Sequence, residues 1–186
     1  MRVRSDSGFT LVELMITLAV AVILVTVAIP SFRDTLARNE LITTTNAWVA
    51  AINAARAEAV KRNQSVALCG EDNAPSSGIG SNCTAALAGE VRYLPRGGGA
   101  AETLHPALAA SIEQPLQILS STIVRFRGDG LGYLGENVLT PYNTASGDPS
   151  VVVLCNSALS ADNVRSVALI AGSTVQVATS TRVDCK

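Results

Sequence analysis

GFTLVELMITLAVAVILVTVAIP, residues 8–30, is the stretch that decides how this chain is read. From Phe9 to Ile29 only Thr10, Glu13, Thr17 and Thr26 interrupt 21 residues of apolar side chains. As a helix rising about 1.5 Å per residue, the run reaches roughly 31 Å, enough to cross the hydrocarbon core of a bilayer. Ahead of it stands a short head, residues 1–8, with Arg2 and Arg4 set against Asp6. Positive charge before a span keeps that head in the cytoplasm and sends everything after Ile29 outward. A secretory signal peptide is the first rival, with Ala28-Ile29-Pro30 as a weak cleavage site. Its apolar core would be shorter, however, and a small-residue site would follow it.

Glu13 argues for more than an anchor. A carboxylate at the centre of a span costs on the order of 2.5–3.5 kcal/mol to insert, and an ionisable group there needs a partner. Pro30, at the far end of the run, predicts a helix kink, because proline lacks a backbone donor and clashes with the preceding turn.

Further along the chain, Leu41, Thr45, Trp48, Ile52, Ala55 and Ala59 recur every three or four residues, with Arg56, Glu58, Lys61 and Arg62 largely off that stripe. The spacing predicts an amphipathic helix packing one face on a sheet, with Trp48 as a core anchor rather than a stacking platform for a ligand. No strong breaker intervenes between Ser31 and Asn63, so one long helix is expected over residues 9–63, its first part (9–29) membrane-spanning.

Beyond Ser65 the pattern turns to short β-branched runs between turn residues. Strands are expected at Ser65–Cys69, Glu90–Leu94, Leu116–Ser120, Thr122–Arg127, Val151–Cys155, Val164–Ile170 and Thr174–Ala178. Loops are expected from Glu71 to Asn82 and at Arg96-Gly97-Gly98-Gly99. One long helix followed by a run of strands is an α+β protein with antiparallel sheets, residues 64–186 forming its head. The four cysteines, Cys69, Cys83, Cys155 and Cys185, show no metal-ligand spacing and suit two disulfides in an exported domain. Three connectivities are open, and Cys69–Cys83 with Cys155–Cys185 would each close a local loop.

Other patterns carry less. The formal charge of −1 advertises no polyanionic partner. Gly130-Leu131-Gly132-Tyr133-Leu134-Gly135 spells the dinucleotide fingerprint, but Glu136 to Pro141 is a poor helix start, and the motif needs a helix N-terminus to hold the pyrophosphate. A glycine-rich turn is expected instead, and no cofactor. Arg96-Gly97-Gly98-Gly99 lacks the Lys-Ser/Thr ending of a phosphate loop. His105, the only histidine, reads as a loop residue beside Pro106, with no acid–nucleophile pattern near it. Neither a catalytic constellation nor a metal site can be assembled, and no enzyme is expected.

Gly8-Phe9-Thr10-Leu11-Val12-Glu13-Leu14 resembles the processing and methylation signature of type IV prepilins and type II secretion pseudopilins. The resemblance implies cleavage after Gly8 by a prepilin peptidase and N-methylation of Phe9 as the new N-terminus. It also implies that Glu13 offsets the terminal amine of a neighbouring subunit during assembly. Ala55-Arg56-Ala57-Glu58-Ala59-Val60, Val66-Ala67-Leu68-Cys69 and Ile123-Val124-Arg125-Phe126-Arg127-Gly128-Asp129-Gly130 narrow the likeness to the FimT/FimU minor pilins and H-type pseudopilins. That family implies a pilin fold, a long helix on a β-sandwich-like head. It further implies an inner-membrane subunit whose head lies outside the cytoplasm and whose partners are other major and minor pilins or pseudopilins. The role expected is a minor pilin initiating assembly at or near a filament tip, with an H-type pseudopilin of type II secretion as the alternative. Some FimT-like members bind DNA through a basic Gly-Arg-x-Arg stretch near the C-terminus. The corresponding Gly172-Ser173-Thr174-Val175 has neither arginine, and loss of residues 1–8 takes the formal charge from −1 to −2, so phosphate contacts are few.

Overall fold

A computed structural model describes residues 8–71, 83–95, 100–134, 141–142 and 149–185. The chain divides into two compact units, residues 1–36 and 37–186. One α-helix, α1 (Leu11–Arg62), contributes to both.

In the first unit the described side chains from Leu11 to Thr26 are exposed on every side, Leu11, Met15, Leu18, Val22 and Val25 among them. A helix that is apolar all round needs a cover of lipid or protein. Among the described residues no helix is long and apolar enough to cross a membrane. The side chains of residues 27–31 lie outside the described residues, so the expected span over residues 9–29 is described only as far as Thr26. The helical backbone continues through Pro30.

The second unit starts inside the helix. Ala37, Leu41, Thr45, Trp48, Ile52, Ala55 and Ala59 are all buried. Trp48 is wholly enclosed, so its indole has no face left for a ligand. The helix ends on Asn63, which takes a left-handed backbone (φ 48°). The Gln64 amide reaches back to the Ala59 carbonyl (3.1 Å) and the Asn63 amide to that of Val60 (3.1 Å). These are the two bonds of a Schellman cap, with asparagine in the place glycine usually takes. Glu58 accepts from Arg62 (2.9 Å) and Lys61 (3.2 Å), and both contacts hold its carboxyl below the ordinary value. The Arg62 guanidinium also lies over the Tyr93 ring, 4.8 Å from its centre.

Nine strands follow among the described residues: β1 (Ser65–Leu68), β2 (Val91–Leu94), β3 (Glu102–His105), β4 (Leu116–Ser121), β5 (Val124–Phe126), β6 (Gly132–Leu134), β7 (Ser150–Asn156), β8 (Val164–Ile170) and β9 (Thr174–Ser180). They form two antiparallel sheets, β3-β2-β1-β5-β6 and β4-β7-β8-β9. With the helix packed against them, this is an α+β fold of the pilin type. Two strands depart from the sequence reading. His105 closes β3 opposite Val91 instead of lying in a loop, and the glycine-rich stretch contributes β6 instead of a turn alone. Arg96–Gly99 and most of the expected loop from Glu71 to Asn82 lie outside the described residues.

Strand alternation distributes the core. Val66 and Leu68 of β1, with Val152 and Leu154 of β7, join Leu41, Trp48 and Ile52 of the helix in one main cluster. The intervening residues face the other way and form two smaller clusters. Ala67 and Cys69 pack with Cys83 and Ile123, and Val153 and Cys155 with Val164 and Cys185. Each small cluster is closed by a disulfide, Cys69–Cys83 (Cα–Cα 5.3 Å) and Cys155–Cys185 (Cα–Cα 5.6 Å). These strands read as unbroken apolar runs because both of their faces are covered.

Candidate functional site: the helix start and the head

The start of α1 is built by a threonine. Thr10 precedes the first helical residue, its carbonyl accepts from the Leu14 amide (3.2 Å), and its Oγ1 accepts from the Glu13 amide (3.2 Å). Thr10-Leu11-Val12-Glu13 is thus the threonine half of a capping box, with Glu13 at the third helical position. Gly8 and Phe9 lie before the cap, outside the helix. A side chain built on Gly8 would meet nothing within 4 Å, and Phe9 is 78% exposed.

The other polar groups of the run satisfy themselves. The Thr17 hydroxyl donates to the Leu14 carbonyl (2.9 Å) and that of Thr26 to the Ile23 carbonyl (2.7 Å). Among the described residues the Glu13 carboxylate is bound by no cation. The threonines are thus satisfied within the run, whereas no described cation meets Glu13.

In the head, several described residues that the sequence singled out hold the architecture together. Gly132 of β6 donates its amide to the Gly172 carbonyl (2.8 Å), joining the first sheet to the turn between β8 and β9. A Cβ on Gly132 would lie 2.6 Å from Leu169 Cδ2, and one on Gly172 (φ +68°) 2.7 Å from the Gly132 oxygen. Gly132 of the apparent fingerprint and Gly172 thus serve close approach of two backbones. Asp129 shapes the preceding turn by accepting from the Leu131 amide (2.9 Å) and from the Tyr133 hydroxyl (2.8 Å). That hydroxyl bond, with burial of the ring, pushes the Tyr133 phenol above its ordinary value. Glu90, 4% exposed, accepts from the Thr103 hydroxyl (2.6 Å) and pairs with Arg92 (2.8 Å). It is a buried charge compensated in place. Among the described residues no group of His, Cys, Asp and Glu could hold a metal ion.

One polar device escaped sequence reading. Asn163, 3% exposed, donates from Nδ2 to the Arg182 carbonyl (2.9 Å) and accepts at Oδ1 from the Arg182 amide (2.9 Å). It pairs with the tail as a neighbouring strand would. Gln117 donates to the Cys185 carbonyl, and Thr181 Oγ1 accepts from the Asp162 amide (2.9 Å). A lone asparagine after a turn gives no sequence signal of such a role.

An exposed apolar helix capped beside an unpaired glutamate, followed by a disulfide-braced two-sheet head, defines a subunit of the pilin class. The family model for type II transport protein GspH matches residues 44–175, well over half of the chain, and the prokaryotic N-terminal methylation motif matches residues 3–29. The chain belongs to the GspH family of pilin-like proteins. Neither curated proteins nor solved structures returned a match.

Proposed function

We propose that this chain is a minor pilin, processed between Gly8 and Phe9, methylated on Phe9, and built into a filament at or near its tip, where it helps initiate assembly. Under this reading residues 1–8 are a cytoplasmic leader, residues 9–63 the helix with its membrane and filament-core portion at 9–29, and residues 64–186 the head outside the inner membrane. The observation that carries it is Glu13: a carboxylate held at a capped helix start, in an apolar run whose threonines are all internally bonded. Its partner is the Phe9 amine of a neighbouring pilin. Pro30 supplies a kink where the apolar run ends.

The family model's description favours a second reading, an H-type pseudopilin in a type II secretion filament. The same helix chemistry serves both, and the genes that accompany this one discriminate between them. A third reading, DNA reception, finds little support: Gly172 to Val175 forms a turn and the start of β9 without a cationic side chain.

Intact mass and N-terminal sequencing of protein recovered from membranes test the processing step. A chain starting at N-methyl-Phe9 is the expected result; a start beyond Ile29, or retention of Met1, refutes it. Glu13→Ala should be cleaved normally yet fail to enter filaments, read by immunoblot of sheared filaments. Wild-type incorporation would remove the charge-pairing role.

A further inference from the structure

Among the described residues the two sheets end in four edge strands, and three of them are protected. β3 carries Glu102, paired with Arg62 (3.5 Å), and His105. β6 is three residues long and bridged from Tyr133 to Pro141. β4 is interrupted by a register shift between Ile118 and Ser120, and its Gln117 holds the tail. Charge, brevity, irregularity and cover are the usual ways in which proteins keep sheet edges from pairing with other chains.

Among the described residues β9 has none of these. It runs seven residues, Thr-Val-Gln-Val-Ala-Thr-Ser, with no charge and no proline, and pairs with β8 along its whole length in unbroken register. Only Val175 is partly buried, and Val177 is 46% exposed. Its other side is an edge of about 23 Å whose backbone groups point outward.

We propose that β9 is a self-association edge, occupied by β9 of a second copy running antiparallel about Val177. The sequence is complementary to itself in that register. Val177 meets its own counterpart, Val175 meets Thr179, Gln176 meets Ala178 and Thr174 meets Ser180. No like charges oppose one another, and the Val–Val and Val–Thr pairs are β-branched cross-strand pairs of the favourable kind. Val175 and Val177 lie on the face carrying Val167 and Leu169, so a second β9 extends the apolar side of its sheet. A charged segment from another protein gains no countercharge from this strand, so the occupant that fits is a second copy. This inference goes beyond the filament reading and does not depend on it.

The test is disulfide trapping in the full-length chain, in membranes, with a copper–phenanthroline oxidant. In the proposed pairing the two Cβ atoms at position 177 lie about 4.5–5.5 Å apart, close to disulfide reach. Those at position 174 lie roughly 20 Å apart. Val177→Cys should yield a covalent dimer of twice the chain mass and Thr174→Cys should not, whereas Thr174→Cys and Ser180→Cys chains made together should cross-link. A dimer absent at 177, equal trapping at 177 and 174, or a product containing a different polypeptide would each overturn the proposal. As a second measurement, Val177→Lys sets two cations opposite each other and should weaken dimerisation of the detergent-solubilised chain roughly fivefold by sedimentation. An unchanged dimer fraction would also overturn it. Neither outcome bears on cleavage at Gly8 or on Glu13, whose failure is read separately.

Discussion

Single residues fix the tightest points of this molecule. At Gly132 the nearest heavy atom to an added Cβ is the end of the Leu169 side chain, with Phe126 and Val124 just beyond. Gly132→Ala should therefore cost about 1–3 kcal/mol through overpacking, measured by thermal unfolding in detergent. Gly172→Ala should cost more, because the obstacle there is backbone and the residue sits at φ +68°. Tyr133 gives a pH-dependent signal. Its phenol is raised because the neutral form donates to Asp129, so the stability it adds is complete below the ordinary value of 10.0 and is lost as pH rises through the higher folded value. Subtracting the ultraviolet tyrosinate titration of Tyr133→Phe from that of the native protein should isolate a midpoint above 10.0. A midpoint at or below it would mean that the Asp129 bond does not form. The fingerprint spelling of Gly130 to Gly135 was visible in sequence, but its purpose was not. The Gly132–Gly172 contact joins residues 40 positions apart, and no local pattern encodes it.

At the scale of elements, periodicity carried the helix and most strands. The three-and-four spacing of Leu41 to Ala59 reported the buried stripe, since a helix must bury one face. β3 and β6 were missed for opposite reasons. Glu-Thr-Leu-His is a polar edge strand without a covered outer face, and Gly-Tyr-Leu is too short to show alternation. The cysteines were legible as two bridges, but their place on the two faces turned away from the helix was not. Those faces give the bridges different tasks. The Cys155–Cys185 loop spans 30 residues, worth about 3.6 kcal/mol in the loop-entropy account, and it anchors the tail that Asn163 clamps. Replacing both cysteines with serine should lower stability by that order and expose residues 181–185 to carboxypeptidase, followed by mass spectrometry. Asn163→Ala should loosen the tail with the bridge intact. Glu58 adds a small acid dependence at the helix end. Its lowered carboxyl contributes above the ordinary value of 4.5, and that contribution is lost as pH falls through the folded value.

Across the whole molecule, each unit answers a different burial problem. The second encloses its apolar surface in one main cluster and two bridged satellites, which a chain with so few aromatics achieves by using Val, Leu and Ala on both sides of its strands. Among its described residues the first encloses almost nothing: its helix displays Leu, Val, Ile and Met in every direction. Sequence revealed this division early, because an all-apolar run and a striped run differ in plain composition. The β9 pairing proposed above was invisible there, since an edge strand is known as an edge only once its sheet is assembled.

The position of the Thr10 cap has an electrostatic consequence. The helix starts two residues beyond the proposed cleavage point, so trimming would leave its hydrogen bonds intact and change only the charge at its end. Aligned peptide dipoles give a helix N-terminus a partial positive charge, and an amine released at Phe9 would add a full one beside it. A solitary mature subunit would then carry two like charges at one end, with Glu13 of the same chain near enough to relieve only part of the repulsion. A second carboxylate, offered from the first turn of an adjacent helix, would complete the neutralisation. The mature end would thus be least stable alone and most stable in company, and the cap fixes where that preference is felt.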